Sequence, residues 1–440
     1  MNTPIIDFVK TYADKKGVRA HMPGHKGKTF IGGEKYDLTE ISGADVLYSA
    51  QGIIKESQQN ASKLFSSLAT FYSTQGSTLA IKAMLYLVSK GKQNPTIVAT
   101  RNAHKTFVYG CALLGIQPQW VYPDNYEHLC SCNISPKSIK DKITSLQKKP
   151  CAVYITSPDY LGNVLDVKGI SDVCKEYGVP LLVDNAHGAY LAFTKENMHP
   201  ISLGATMCCD SAHKTLPSLT GGAYLHLSKG AEEYLPFAQS ALSLFASTSP
   251  SYLVMQSLDN VNAFIDKNKA DFIKTQNQVE KLKIKLADFG YVLSGNEPFK
   301  VVIDLKKSGA TEKDVQNSFS KYEIECEFSD NEFVVLMFSP CSTKKDYAIV
   351  EKALKSIALC LENIEDKHVY EENEVVMSVR DAIMQDSEKI SVSASLNRVC
   401  ASPLVSCPPA IPIVVSGEKI TKQSIALFYR YGIEEIEVVK

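Results

Sequence analysis

Two short stretches hold the residues best suited to covalent chemistry. In PLLVDNAHGAY, Pro180 to Tyr190, an apolar run ends in the carboxylate of Asp184, followed by the small Ala186 and then His187 and Gly188. A carboxylate at that place can keep a heteroaromatic ring nitrogen protonated, so that the ring accepts an electron pair. The methyl of Ala186 would pack under such a ring, where a larger side chain would not fit. In CCDSAHKTLPSLTGGAY, Cys208 to Tyr224, Lys214 lies thirty residues beyond the aspartate. Its amine attacks an aldehyde only when deprotonated, a state favoured by partial desolvation and a nearby positive charge. Ser211 and His213 are spaced to bind a phosphate or to steer that amine. Alone, the first stretch reads equally as an aspartate capping a helix, and the second as a solvated lysine. In this order and at this distance they support each other.

Two further stretches complete the set. In FYSTQGSTLAIKAML, Phe71 to Leu85, Gly76, Ser77 and Thr78 open an amphipathic helix. Their amides and hydroxyls would form an anion site at the positive helix end, or an ordinary N-cap. In TIVATRNAHKTFVYG, Thr96 to Gly110, an apolar run is followed by His104. Its flat imidazole could stack on a ring and contact a substrate carboxylate, or simply cap the next helix. An aldehyde, a pyridine ring and a phosphate together describe pyridoxal 5′-phosphate.

The elements that would position these residues are legible as alternating strands and helices from about Ala69 to Leu227. Apolar runs recur at Thr96 to Ala99, Pro118 to Tyr122, Ala152 to Thr156, Pro180 to Val183 and Ala223 to Leu227. Helix-length stretches such as Pro136 to Gln147 and Ser171 to Tyr177 separate several of them, which implies an α/β fold with a mainly parallel sheet. Ligands in such sheets sit beyond the carboxyl ends of the strands, where Asp184 falls. A long helical stretch, Pro250 to Phe289, comes next. It is followed by strand Lys300 to Asp304, helix Glu312 to Lys321, strand Phe333 to Phe338 and helix Lys344 to Leu361. The charged run Glu362 to Glu374 reads as a linker or a solvated face. A rigid extended stretch, Cys407-Pro408-Pro409-Ala410-Ile411-Pro412, precedes a closing helix and strand.

With 440 residues the chain is long enough for two or three domains. A hydrophobic fraction of 45%, a charged fraction of 22% and a net charge of -1 suit a soluble protein with a small-molecule partner. They argue against nucleic acid or an anionic membrane as partner. No apolar run is long enough to span a bilayer, and the first residues lack a secretory core. The twelve cysteines are scattered without paired C-x-x-C spacing, so buried free thiols in a reduced cytoplasm are expected, and no metal site.

In this order, the four stretches resemble the Orn/Lys/Arg decarboxylase family of fold-type I pyridoxal-phosphate enzymes. So do RAHMPGHKG (Arg19 to Gly27), DLTEISGAD (Asp37 to Asp45), FASTSPSYLVMQSLD (Phe245 to Asp259) and CPPAIPIVVSGEKIT (Cys407 to Thr421). The resemblance implies an aspartate aminotransferase-like large domain with a seven-stranded sheet, a smaller α+β domain and a C-terminal domain. The boundaries expected are 1–50 for an N-terminal segment, 51–290, 291–365 and 375–440. It further implies a homodimer with active sites at the interface, in a short form without the N-terminal wing of longer members. By motif match Lys214 is the Schiff-base lysine, Asp184 the pyridinium partner and His104 the stacking group, while Gly76, Ser77, Thr78, Ser211 and His213 hold phosphate. Ser247 to Ser251 would reach the phosphate of the neighbouring subunit. Two departures stand out: Gly221 where the family often has glutamine, and Tyr48 where it often has histidine.

The activity so implied is α-decarboxylation of lysine, arginine or ornithine. Transamination, lyase chemistry or cofactor binding without turnover are the alternatives, because the cofactor residues alone do not select which substrate bond breaks. Glu40 and Asp45 are the candidates for recognising a basic side chain.

Overall fold

A computed structural model describes residues 1–15, 17–123, 128–360, 372–403 and 410–440. The strands expected around the chemistry form one seven-stranded sheet. They are β1 (Ala69–Ser73), β2 (Thr96–Thr100), β3 (Gln117–Val121), β4 (Ala152–Thr156), β5 (Leu181–Asp184), β6 (Met207–Asp210) and β7 (Ala223–Leu227), in the order β1-β7-β6-β5-β4-β2-β3. The β2–β3, β2–β4 and β5–β6 pairs are parallel, whereas β7 runs antiparallel to β1 and β6. Strands β4 to β7 are buried almost throughout, as expected of strands in a sheet enclosed on both faces. This is the α/β sheet that the sequence implied.

The helices that accompany the sheet are α1 (Pro4–Ala13), α2 (Ile53–Phe65), α3 (Gly76–Ser89), α4 (Lys105–Leu114), α5 (Pro136–Ser145), α6 (Val167–Glu176), the single turn α7 (Ala212–Thr215) and α8 (Ala238–Phe245). The long stretch α9 (Tyr252–Asp288) is interrupted at Asn268, whose backbone is not helical.

The chain divides into two compact units. The first comprises 1–91 and 167–270, the second 92–166 and 271–440. Within the second, β8 (Val292–Ser294), β9 (Lys300–Asp304), β10 (Phe328–Ser329) and β11 (Phe333–Met337) form an antiparallel sheet of order β10-β11-β9-β8. Helices α10 (Leu305–Ser308), α11 (Glu312–Tyr322) and α12 (Lys344–Lys355) accompany it, and Val301, Ile303, Phe319, Val334 and Leu354 share one core. Helix α12 ends at Lys355, earlier than the sequence reading to Leu361, whose last residue lies outside the described residues. The charged run and the Cys407-Pro408-Pro409 stretch also fall largely outside them. The chain closes with α13 (Val379–Met384), β12 (Ser387–Ser391), α14 (Lys422–Arg430) and β13 (Glu435–Val439), and the last two bury Phe428, Ile436 and Val438 in one core with Leu129, Tyr160 and Val335.

Among the described residues no helix is long and apolar enough to cross a membrane. The described cysteines are all free, most of them buried.

Candidate active site

Strands β5 and β6 end side by side and deliver the two principal residues within the first unit. Register pairs Asp184 with Cys209, and the Asn185 amide donates to the Cys209 carbonyl at 3.0 Å. The Asp184 carboxylate is 3% exposed, and its Oδ1 accepts the Ala186 N–H at 3.2 Å and the Cys209 thiol at 3.6 Å. Ala186 is buried beside it. After β6 the chain turns through Ser211 into α7, which places Lys214 with its amine 3.0 Å from His187 Nε2. Lys214 itself is exposed in the single chain.

The residues expected to meet a phosphate also belong to this unit. Ser211 Oγ donates to Ser77 Oγ at 2.9 Å, joining the lysine turn to the first turn of α3. Gly76 has a left-handed φ of +69°, and a Cβ built on it would meet nothing within 4 Å. Its amide, however, donates to the Gly221 carbonyl at 2.8 Å. The Gly76 amide expected as an anion donor is thus turned onto Gly221, while the space around Gly76 is open and Ser77 and Thr78 follow it in the helix turn. A buried carboxylate, an amine and paired hydroxyls around an open glycine at a helix start are the donor set that a phosphorylated pyridine aldehyde requires. The residues fit that group.

His213 is tied down from one side: its Nδ1–H donates to the Gly222 carbonyl at 3.0 Å, so the lone pair of the neutral ring sits on Nε2. Burial lowers its pKa. His104 lies in the second unit as the N-cap of α4, where its Nδ1 accepts the Thr106 N–H at 3.1 Å. That bond puts the proton of the neutral imidazole on Nε2.

One of the two departures has a local account. Gly221 has φ +92°, and a Cβ there would lie 2.9 Å from the Thr74 carbonyl oxygen, so the turn in this chain needs glycine. Tyr48 is half-buried, and burial pushes its phenol up to about 12. Of the two acidic candidates, Asp45 is already committed. Its carboxylate accepts the amides of Val46, Gln51, Gly52 and Ile54 at 2.8–3.0 Å, serving as a cap for α2. Burial pushes its pKa up, but these amides outweigh it and hold the carboxyl low. Asp45 is thus a helix cap, which corrects its candidacy for substrate recognition. Glu40 is exposed, as are the hydroxyls of Ser247 to Ser249.

Two features escaped the sequence. His187 was visible in the motif, but its pairing with Lys214 spans 27 residues and depends on how β5 and β6 abut. The second is a fully buried cluster around Asp210. His199 Nε2 and His226 Nε2 approach its Oδ2 at 3.0 and 3.1 Å, and Asn185 Nδ2 donates to Oδ1 at 2.7 Å. Burial favours the neutral acid, yet the two imidazoles hold the carboxyl below the ordinary range. His199, Cys208 and Asp210 bring metal-type ligand atoms within 4.8 Å of one another, a grouping that cysteine spacing could not disclose. Hydrogen bonds to Asp210 already engage both histidine Nε2 atoms.

The family follows from comparison with known proteins. Residues 3–302 match the model for the Orn/Lys/Arg decarboxylase major domain, and 363–436 match that for its C-terminal domain. The chain belongs to the Orn/Lys/Arg decarboxylase family. It is 29% identical to an arginine decarboxylase of Bacillus subtilis, over 97% of this chain and 93% of that one. An arginine decarboxylase of Halalkalibacterium halodurans is also 29% identical, with 96% and 92% covered. Among solved structures, a lysine decarboxylase of Francisella novicida superposes with a TM-score of 0.81 at 17% identity, covering all of this chain and 81% of that one. A constitutive lysine decarboxylase of E. coli gives 0.78 at 17% identity, with 100% and 82% covered. The fold is that of fold-type I pyridoxal-phosphate enzymes, and the family is one of amino-acid decarboxylases.

Proposed function

We propose that this chain decarboxylates a basic amino acid, whether lysine, arginine or ornithine, with pyridoxal 5′-phosphate as cofactor. The observation that carries the reading is the juxtaposition of the Lys214 amine, 3.0 Å from His187, with the buried Asp184 carboxylate at the adjoining strand end. The naming of the Bacillus subtilis and Halalkalibacterium halodurans relatives as arginine decarboxylases supports it. When bound, the cofactor supplies an electron sink for the pair released at the substrate α-carbon.

The residues of the chain do the rest. Asp184 would hold the ring nitrogen and keep it protonated, and Ala186 would leave room for the ring. Lys214 would hold the cofactor through its aldehyde carbon, and His187 Nε2, 3.0 Å away, would take the proton that the amine must lose. His213, anchored through Nδ1, keeps Nε2 as the atom that can take or return a proton. By the family resemblance, Gly76, Ser77, Thr78 and Ser211 would hold the phosphate, and His104 would stack on the ring and meet the substrate carboxylate. Glu40 remains the candidate for the far end of a basic substrate. The working form is a cytoplasmic homodimer in which Ser247 to Ser251 serve the neighbouring site, with domains at 51–290, 291–365 and 375–440 behind the segment 1–50.

Borohydride reduction and peptide mapping should find the cofactor on Lys214. Incubation with lysine, arginine and ornithine should then release carbon dioxide and the matching amine from one of them. A label on another lysine would sink the assignment, and keto acid without carbon dioxide would make the protein an aminotransferase.

A further inference from the structure

Helix α4, which begins just after His104, is gripped at both ends by residues near the C-terminus of the chain. At its start, the Lys105 amide donates to the Ala410 carbonyl at 2.9 Å. Ala410 adopts a left-handed φ of 59°, a conformation that is costly for a residue with a Cβ. Three residues before His104, the buried Arg101 donates from Nη1 to the Pro412 carbonyl at 2.8 Å and from Nη2 to the Ile413 carbonyl at 3.0 Å. The same guanidinium reaches the buried Glu418 at 3.4 Å. Glu418 is fixed in turn by the Val415 amide at 2.8 Å and the Asn373 side chain at 3.3 Å. At the other end of α4, Arg380 Nη1 donates to the Ala112 and Leu113 carbonyls at 2.9 and 3.1 Å.

We infer that Arg101 is a positioning residue for His104, and that the stretch 410–418 works through it as part of the active-site machinery. The helix cannot slide or tilt without breaking bonds at one end or the other, and His104 rides on its first turn. A planar guanidinium with several fixed acceptors suits this role, because it defines orientation as well as distance. The inference rests on the reading that His104 acts on the bound substrate or cofactor.

A double-mutant cycle in the full-length, cofactor-loaded enzyme tests it, with the amino acid it turns over as substrate. Arg101→Met should lower kcat by roughly 10–100-fold, the scale expected when a group is displaced by about 1 Å, with little change in KM. Arg101→Lys should recover part of the loss. On a His104→Ala background, Arg101→Met should cost almost nothing further, and amide exchange in the first turn of α4 should quicken in both Arg101→Met proteins. If the Arg101→Met loss multiplies fully with that of His104→Ala, Arg101 acts elsewhere and the inference fails. If His104→Ala alone leaves activity unchanged while exchange still quickens, the grip is real but the role given to His104 fails, and the inference falls with it. Arg380→Met, at an exposed position, covers the case in which Arg101→Met does not fold. It should reduce kcat a few-fold, and that effect should vanish on the His104→Ala background; persistence there would overturn the inference.

Discussion

Asp210 and Asp259 are both fully enclosed in the first unit, yet their carboxyls are driven in opposite directions. Asp210 is held below the ordinary carboxylate range although burial opposes it, because two imidazoles and an amide converge on it. Asp259 is pushed up to about 6 by burial, against the Ser57 hydroxyl and the amides of Ile6 and Ile5. The difference lies in the donors. Asp210 faces rings able to carry a proton, one residue before Ser211 and four before Lys214. Asp259, on α9, receives the first amides of α1 at 3.0 and 3.1 Å and so fastens the N-terminal helix. Burial alone therefore does not set the charge of a carboxyl. One buried aspartate is a brace held as an anion at the end of β6, and the other is a latch that protonates readily.

The sharpest separation of the two regions removes the reactive amine. Lys214→Ala should lower turnover by at least about 10³-fold, the scale of losing an acid–base or covalent group, while leaving the stability contributions of both aspartates in place. Steady-state assays and urea unfolding of the same variant check both halves. Asp210→Asn comes next. It leaves two buried imidazoles facing an amide, and breaking such a buried cluster should cost about 3 kcal/mol in urea unfolding at pH 7. If Asp210→Asn unfolded no more easily than Asp259→Asn, the distinction between brace and latch would be lost.

How much of this was readable beforehand depends on whether the determinants are local. Asp184, Ala186 and the Gly76–Ser77 turn announced themselves because a strand end and a helix start are each written in a few consecutive residues. Strand β6, Met207–Asp210, does not stand out as an apolar run. Its sequence Met-Cys-Cys-Asp carries no β-branched residue, and its strand character comes from pairing with β5 and β7. The Asp210 cluster draws on β5, β6, β7 and the turn at His199, so no sequence window contains it. Asp45 shows the converse: its type suited a cationic substrate, but the amides that claim it come from a helix start several residues on. The fold was legible from periodicity, and the pairing of charges was not, because that pairing is a property of strand order.

The pH dependence distinguishes the two aspartates by sign. A carboxyl whose pKa is raised on folding lends stability that is complete below its unfolded value, near 4, and is lost as the pH climbs through about 6. Asp259 should therefore cost the native state up to about 3 kcal/mol across that window, from roughly two pKa units at about 1.4 kcal/mol each. Asp210 behaves in reverse: its contribution is present above pH 4 and is lost as the pH falls below it. The difference in urea midpoint between wild type and Asp259→Asn should then move against wild type between pH 4 and 7, while that for Asp210→Asn should not. A flat difference for Asp259→Asn would mean that its carboxyl is not raised.

The smallest effect probes how far the brace extends. His226 Nδ1 lies 2.8 Å from Thr70 Oγ1, which in turn lies 2.8 Å from Ser67 Oγ, so the second nitrogen of this imidazole is also occupied. Thr70 is buried, and Thr70→Val keeps the shape while deleting the hydroxyl. The expected cost is about 1 kcal/mol, that of one buried hydrogen bond with a partner left unsatisfied. If the hydroxyl supports Asp210 through the imidazole, the cost should shrink in an Asp210→Asn background, because His226 has by then lost the carboxylate it serves. If Thr70→Val costs the same in both backgrounds, the Thr70 contact is ordinary packing and the brace stops at the ring. Asp259→Asn offers the control: its network shares no residue with Thr70, so the two losses there should add.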